Sequence, residues 1–150
     1  MKKWPAYLLG TLVYLGLSSC NPKSYSLSNL PAEQIIFGQG GGFTGAVNTY
    51  LLLDNGQLFQ KKSFQSEDWE VLEPLRPRHG RKMFRKIRKI DQDSMGIKEP
   101  GNRYFFLHYI NAESRFENTW GKPDYVAPSE LTELHAQLQE LFNKAQESKQ

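Results

Sequence analysis

Gly38-Gln39-Gly40-Gly41-Gly42-Phe43-Thr44-Gly45 is the stretch on which the fold turns. Five glycines in eight residues call for positive φ or close backbone approach. Gly40 to Gly45 also satisfies the pattern G-x-G-x-x-G formally. A dinucleotide fold needs a helix directly after those glycines, so that its N-terminal amides meet the pyrophosphate. Here Ala46 to Leu53 (AVNTYLLL) reads as a strand instead. Asp54-Asn55-Gly56 is then a type I′ hairpin signal, and Gln57 to Lys62 reads as the return strand. A two-residue turn would set Leu53 opposite Leu58 and Leu52 opposite Phe59. Both faces then carry apolar groups near the turn, which predicts partial cover on each side. The nucleotide-binding reading therefore fails.

Glu33 to Phe37 (EQIIF) reads as the strand before the glycines, which makes Gly38 to Gly45 a wide connection between neighbouring strands. Protein kinases also place a glycine-rich loop between strands, but they need a catalytic loop and a metal-binding Asp-Phe-Gly, and neither occurs here. As a functional element the loop would bind a partner, with Gly41, Gly42, Phe43 and Thr44 presenting the Phe43 ring. A strand followed by Gly-Gly-Phe-x-Gly, in a small domain with later helices, is similar to the emfourin-type inhibitors of bacterial metalloproteases. Gly41, Gly42, Phe43 and Gly45 carry that resemblance, and it implies an inhibitory role.

Further along, Ser63 to Pro77 is read as irregular, with a short extended piece at Trp69–Leu72. From Arg78 to about Ile90 the spacing of Met83, Ile87 and Ile90 predicts one apolar helical face. The opposite face is basic: Arg81, Lys82, Arg85, Lys86, Arg88 and Lys89. Eight Lys or Arg lie between Arg76 and Lys89, with no acid among them. Such a run is a solvated face, a contact for anionic lipid or phosphorylated glycolipid, or a surface for the acidic side of a partner protein. Pro100-Gly101 fits a type II turn. Arg103 to Ile110 (RYFFLHYI) is the most strand-like segment, aromatic on both faces and predicted to be central. Arg115 to Trp120 sends Phe116, Asn118 and Trp120 to one face. Pro128 can open a final helix with the stripe Leu131, Leu134, His135, Leu138, Leu141 and Phe142. The expected fold class is α+β, an antiparallel sheet of about five strands with two helices packed on one face.

The start of the chain reads as an address. Lys2 and Lys3 precede an apolar run of 14 residues, Trp4 to Leu17, short of the ~18–20 needed to cross a bilayer. Leu17-Ser18-Ser19-Cys20 follows and resembles the lipobox of bacterial lipoproteins. That resemblance implies cleavage between Ser19 and Cys20, acylation of the Cys20 thiol and of the new amino terminus, and a cell-envelope location. In that class Asn21, where an aspartate favours inner-membrane retention, points to the outer membrane, with the domain in the periplasm or at the surface. The expected organisation is a signal peptide at 1–19, a lipidated cysteine and flexible tether at 20–32, one domain at 33–146 and a frayed tail at 147–150. One acyl chain holds a protein only marginally and two hold it durably, so the class's multiple acylation suits a permanent anchor.

Removing the first 19 of 150 residues leaves 131, enough for one domain with a real core. It also removes Lys2 and Lys3 from the 19 basic residues, leaving 17 against 16 acidic and a net charge of about +1. No global field argues for nucleic acid, and acylation would consume the only cysteine. His79, His108 and His135 lack ligand spacing, so no metal and no cofactor is expected. Asp91 with Asp93, and Glu67 with Asp68, sit in polar connections, and Asp91-Gln92-Asp93-Ser94 has too few ligands for calcium. No G-x-S-x-G elbow marks a serine nucleophile. The residues point to a membrane-anchored envelope lipoprotein with a non-catalytic binding domain, met by an envelope protein partner and the membrane itself. A small envelope hydrolase using carboxylates, and a membrane-surface structural protein using the basic helix, are the alternatives. The residues do not define an oligomeric state.

Overall fold

Strand β1 (Gln34–Gly41) organises the molecule, and it runs four residues further than EQIIF suggests. Gly38-Gln39-Gly40-Gly41 are strand, not connection. Alternate glycines make this possible because aromatic rings from the neighbouring strand lie over them. A Cβ at Gly38 would fall 2.7 Å from the Phe106 ring, and one at Gly40 would fall 2.6 Å from the Tyr104 hydroxyl. The glycines buy a close fit of aromatic side chains.

The structure is a computed structural model that describes residues 24–62, 68–90 and 95–147. The further strands are β2 (Val47–Leu53), β3 (Leu58–Lys62), β4 (Glu70–Val71), β5 (Lys98–Glu99), β6 (Arg103–Ile110) and β7 (Arg115–Trp120). They form one sheet in the order β4-β3-β2-β1-β6-β7-β5. All pairings are antiparallel except β5 with β7. The expectation of about five strands falls short because β4 and β5 are two residues each, too short to leave a period-2 pattern, although β4 lies within the extended piece read at Trp69–Leu72. β6 and β7 have the expected bounds, but the middle of the sheet is β1.

The helices are α1 (Pro77–Ile87) and α2 (Ser129–Glu147). Pro77, read from sequence as part of an irregular stretch, opens α1, where its fixed φ and missing N–H do no harm. Ile35, Phe37, Tyr50, Leu52, Leu58, Leu107, Tyr109 and Trp120 share one sheet face. They join Met83, Phe84 and Ile87 of α1 and Leu131, Leu134, Leu138 and Phe142 of α2 in one core. The opposite face has a smaller cluster, Leu51, Leu53 and Phe59, covered by Tyr25, Leu30, Ile36 and Trp69. Cover on both sides of the hairpin was legible in its sequence.

The hairpin register was not. Leu52 pairs with Leu58 and Leu51 with Phe59, one residue off the expected register. A type I′ turn needs positive φ at Asn55, and among the described residues only glycines have it. Gly56 does so alone, at φ 92°. Gly56 N–H donates to the Leu53 carbonyl at 3.0 Å and Leu53 N–H to the Gln57 carbonyl at 3.0 Å. That is a turn followed by a glycine bulge, and the extra residue shifts every partner by one. Gly101 likewise lacks the positive φ of a type II turn. Glycine is required there because a Cβ would lie 2.2 Å from the Gly121 carbonyl oxygen.

Asn118 is fully buried, and its side chain stitches the chain before β5 to the sheet. Its Oδ1 accepts from Gly96 N–H at 2.8 Å, and its Nδ2 donates to the Leu107 carbonyl at 3.0 Å. Part of the stretch read as tether is fastened too. Tyr25 N–H donates to Gln57 Oε1 at 2.7 Å, and Gln57 Nε2 returns a bond to the Tyr25 carbonyl at 3.0 Å.

Candidate functional site

The turn between β1 and β2 is where the sequence placed a binding loop. Gly45 N–H donates to the Gly42 carbonyl at 3.1 Å, which puts Phe43 and Thr44 at the two middle positions. Gly41, Gly42 and Gly45 take φ of 91°, 78° and 62°, which disfavours any side chain. Gly42 N–H also donates to the Asn102 carbonyl at 2.7 Å, tying the turn to the connection before β6. Of the four residues singled out, Gly41 ends β1, and Gly42, Phe43 and Thr44 form the turn itself.

Phe43 is 108 % exposed, so its ring touches almost nothing of its own domain. A cleft of about 170 Å³ opens beside the turn, lined by residues that include Gln39, Asn48, Arg103, Tyr104 and Phe105. Phe105 supplies a second, partly exposed aromatic. It was missed from the sequence because an aromatic in the middle of RYFFLHYI reads as core. Its ring rests edge-on against His135, centroids 5.5 Å apart, and near Trp120 at 6.3 Å.

His135 backs this surface from α2. It is buried, in edge contact with Phe37 and Trp120 as well, and its Nε2 lies 2.9 Å from the Gly38 carbonyl. Burial pushes its pKa down, and the hydrogen bond to Gly38 opposes that only in part. A neutral ring donating from Nε2 satisfies both facts. His108 is half-buried on the other sheet face, and burial lowers its pKa as well. Its Nε2 is buried without a partner. These two histidines sit on opposite faces, so they do not converge.

The basic helix was expected to present Arg81, Lys82, Arg85, Lys86, Arg88 and Lys89. Two of these are engaged within the domain. Arg88 forms a forked ion pair with Glu33, whose Oε1 also accepts from the Tyr109 hydroxyl at 2.5 Å. The Arg88 hydrogen bond holds the Glu33 carboxyl below the usual carboxylate range, against the opposing effect of burial. Burial, then the bond to Glu33, pushes the Tyr109 hydroxyl up. Lys86 donates to Gln137 of α2 at 2.5 Å. Arg81, Lys82, Arg85 and Lys89 stay exposed. Sequence spacing had no means of finding the Glu33–Arg88 pair, since its members lie 55 residues apart.

The lipobox residues Leu17, Ser18, Ser19 and Cys20 lie outside the described residues, as do Glu67 and Asp91 to Ser94. So does 148–150 of the stretch read as a frayed tail, while Glu147 still belongs to α2. Among the described residues, no group of three His, Cys, Asp or Glu side chains is placed to hold a metal. No helix among them is long and apolar enough to cross a membrane. No protein-family model matches the chain, and no curated protein matches it either.

Proposed function

We propose that this protein is a lipid-anchored envelope lipoprotein whose domain binds a protein partner through the Phe43 turn and the cleft beside it. The observation that carries this reading is the bare Phe43 ring, held out by three positive-φ glycines on a turn tied to its neighbour. An apolar ring that its own fold leaves in water contributes nothing to folding, while burying it on a partner would contribute about 2–3 kcal/mol. The cleft lining adds one cation, Arg103, and hydrogen-bonding groups around Phe105. Those are the parts of a small recognition surface, an aromatic anchor with a polar rim. Inhibition of a metalloprotease, implied by the resemblance of Gly41, Gly42, Phe43 and Gly45, is one form such binding takes.

The test places a photo-crosslinking phenylalanine analogue at position 43 in the lipidated chain within its own envelope. Discrete protein adducts are expected at 43 and none at Val126, which is also highly exposed. Phe43→Ala with Thr44→Ala should abolish co-purification of the captured protein while the domain stays folded. Survival of every envelope interaction in that double variant refutes the reading. Assaying the captured partner for proteolysis, with and without the domain, decides whether the binding is inhibitory.

A further inference from the structure

The two ends of the sheet are chemically different, and the chain toward Cys20 leaves from one of them. Leu53, Gln34, Ile110 and Arg115 pair in succession and mark that end, with the Asn55–Gly56 turn just beyond Leu53. Tyr25 is bonded to Gln57 there, and Ser24 lines a cavity with Asn55, Gln57, Pro74 and Pro77. Only four residue steps separate Ser24 from Cys20, a span of at most ~14 Å.

Helix α1 lies across the same end. Near its start, a Cβ at Gly80 would sit 3.4 Å from Gly56, and just past its last turn Arg88 grips Glu33 beside Gln34. The basic residues divide by type around the helix. Lys82, Lys86 and Lys89 line the grooves shared with α2, opposite Glu130, Glu133 and Glu140. Arg78, Arg81, Arg85 and Arg88 follow one another at i, i+3, i+7 and i+10, a line along the side turned from α2. Arg88 at its end is taken by Glu33. Arg78, Arg81 and Arg85 are exposed, and no carboxylate pairs with them among the described residues. Arg78 Nε–H donates to the neighbouring His79 Nε2 at 3.3 Å.

We propose that Arg78, Arg81 and Arg85 lie against the anionic phospholipid surface of the membrane that holds the chain, which orients the sheet so that the Phe43 turn faces away from it. This rests on Cys20 being the lipidated residue. Guanidinium groups suit phosphate oxygens, since their planar forks bind two at once. Four residue steps hold Ser24 within ~14 Å of the anchored residue, at the same end of the sheet that α1 crosses beside Gly56. β2 separates its two turns by seven residues, roughly 23 Å at strand rise, so the recognition surface stands clear of the bilayer.

The experiment uses the lipidated full-length product in vesicles of phosphatidylglycerol with phosphatidylcholine. Acylation leaves no other thiol, so a fluorophore can be placed uniquely through Arg76→Cys at the start of α1 or Thr44→Cys at the far turn. A headgroup-borne quencher should quench position 76 several-fold more steeply than position 44. In the Arg81→Glu, Arg85→Glu background the protein should still float with the vesicles, while quenching at 76 falls toward that at 44. Equal quenching at both positions, or quenching at 76 that ignores the charge reversal, overturns the arginine contact with Cys20 lipidation intact. Mass spectrometry of Cys20 separates the two failures: an unmodified thiol overturns the anchor and the orientation together.

Discussion

The two turns that end β2 are built alike and treated oppositely by the rest of the chain. Each has glycine at positive φ and each reverses an antiparallel pair. The Asn55–Gly56 turn is covered: Tyr25 is bonded through Gln57, Leu75 N–H donates to the Gly56 carbonyl at 2.8 Å, and α1 begins against it. The Phe43 turn is held by one bond to Asn102 and otherwise offers its largest side chain to water. Chain converging on a turn gives its residues a folding reason. Where an aromatic sits bare at the apex of a turn, its ring has no folding role, and that is what the proposed partner contact would use.

The same substitution placed in both turns should have very unequal effects. At Gly56 a Cβ would sit 2.3 Å from the Leu75 carbonyl oxygen, at φ 92°, so Gly56→Ala should destabilise by about 3 kcal/mol or more. At Gly45 nothing lies within 4 Å and only the φ of 62° is unfavourable, so Gly45→Ala should lose about 1 kcal/mol. Urea melts of both variants check this, and equal losses would erase the distinction.

Acid comes next in size and acts on the platform beneath the bare turn. His135 has its pKa lowered by burial, so below about 6.5 the unfolded chain takes up a proton that the folded one refuses. Stability is therefore full above that pH and declines as pH falls through it toward the lowered folded value, by up to about 1.4 kcal/mol per pH unit. His108 adds in the same direction, its pKa also lowered first by burial. A His135→Phe variant should show a shallower decline in pH-dependent melts, and an unchanged slope would mean that His135 is protonated in the folded state. Smaller still is Gln57→Ala, which should free the Tyr25 segment at a loss of about 1 kcal/mol, read as faster hydrogen exchange at the Tyr25 amide. Phe43→Ala is the smallest, within about 0.5 kcal/mol of the parent in stability while removing partner binding.

What the sequence disclosed followed from period and composition. RYFFLHYI, RFENTW and the leucine stripe of α2 each carry enough pattern to define an element, and the alternation around the hairpin disclosed cover on both faces. The misses have physical causes of other kinds. Asn55-Gly56 resembles a two-residue turn, but Leu75 and α1 lie against Gly56, and the turn they meet is bulged by a residue. The first half of the glycine run looked like loop because the aromatic rings covering Gly38 and Gly40 belong to a strand more than sixty positions away. At the candidate site, Phe43 was readable since turn glycines advertise it, whereas Phe105 and the buried support from His135 exist only once α2 crosses the sheet. The basic run was visible as charge. Its division into an arginine line and a lysine flank required knowing where α2 lies.

One consequence follows from the two-residue strands at either border of the sheet. A long flat border strand would let sheets of separate molecules join edge to edge into fibres. Here β4 and β5 each cover only two residues of the strand inside them, so each border is broken, with Lys61 and Lys62 ending the strand inside β4 and the Arg115–Glu117 pair on the strand inside β5. Copies meeting edge to edge would find charge and broken ladders along those borders, which opposes strand-by-strand polymerisation.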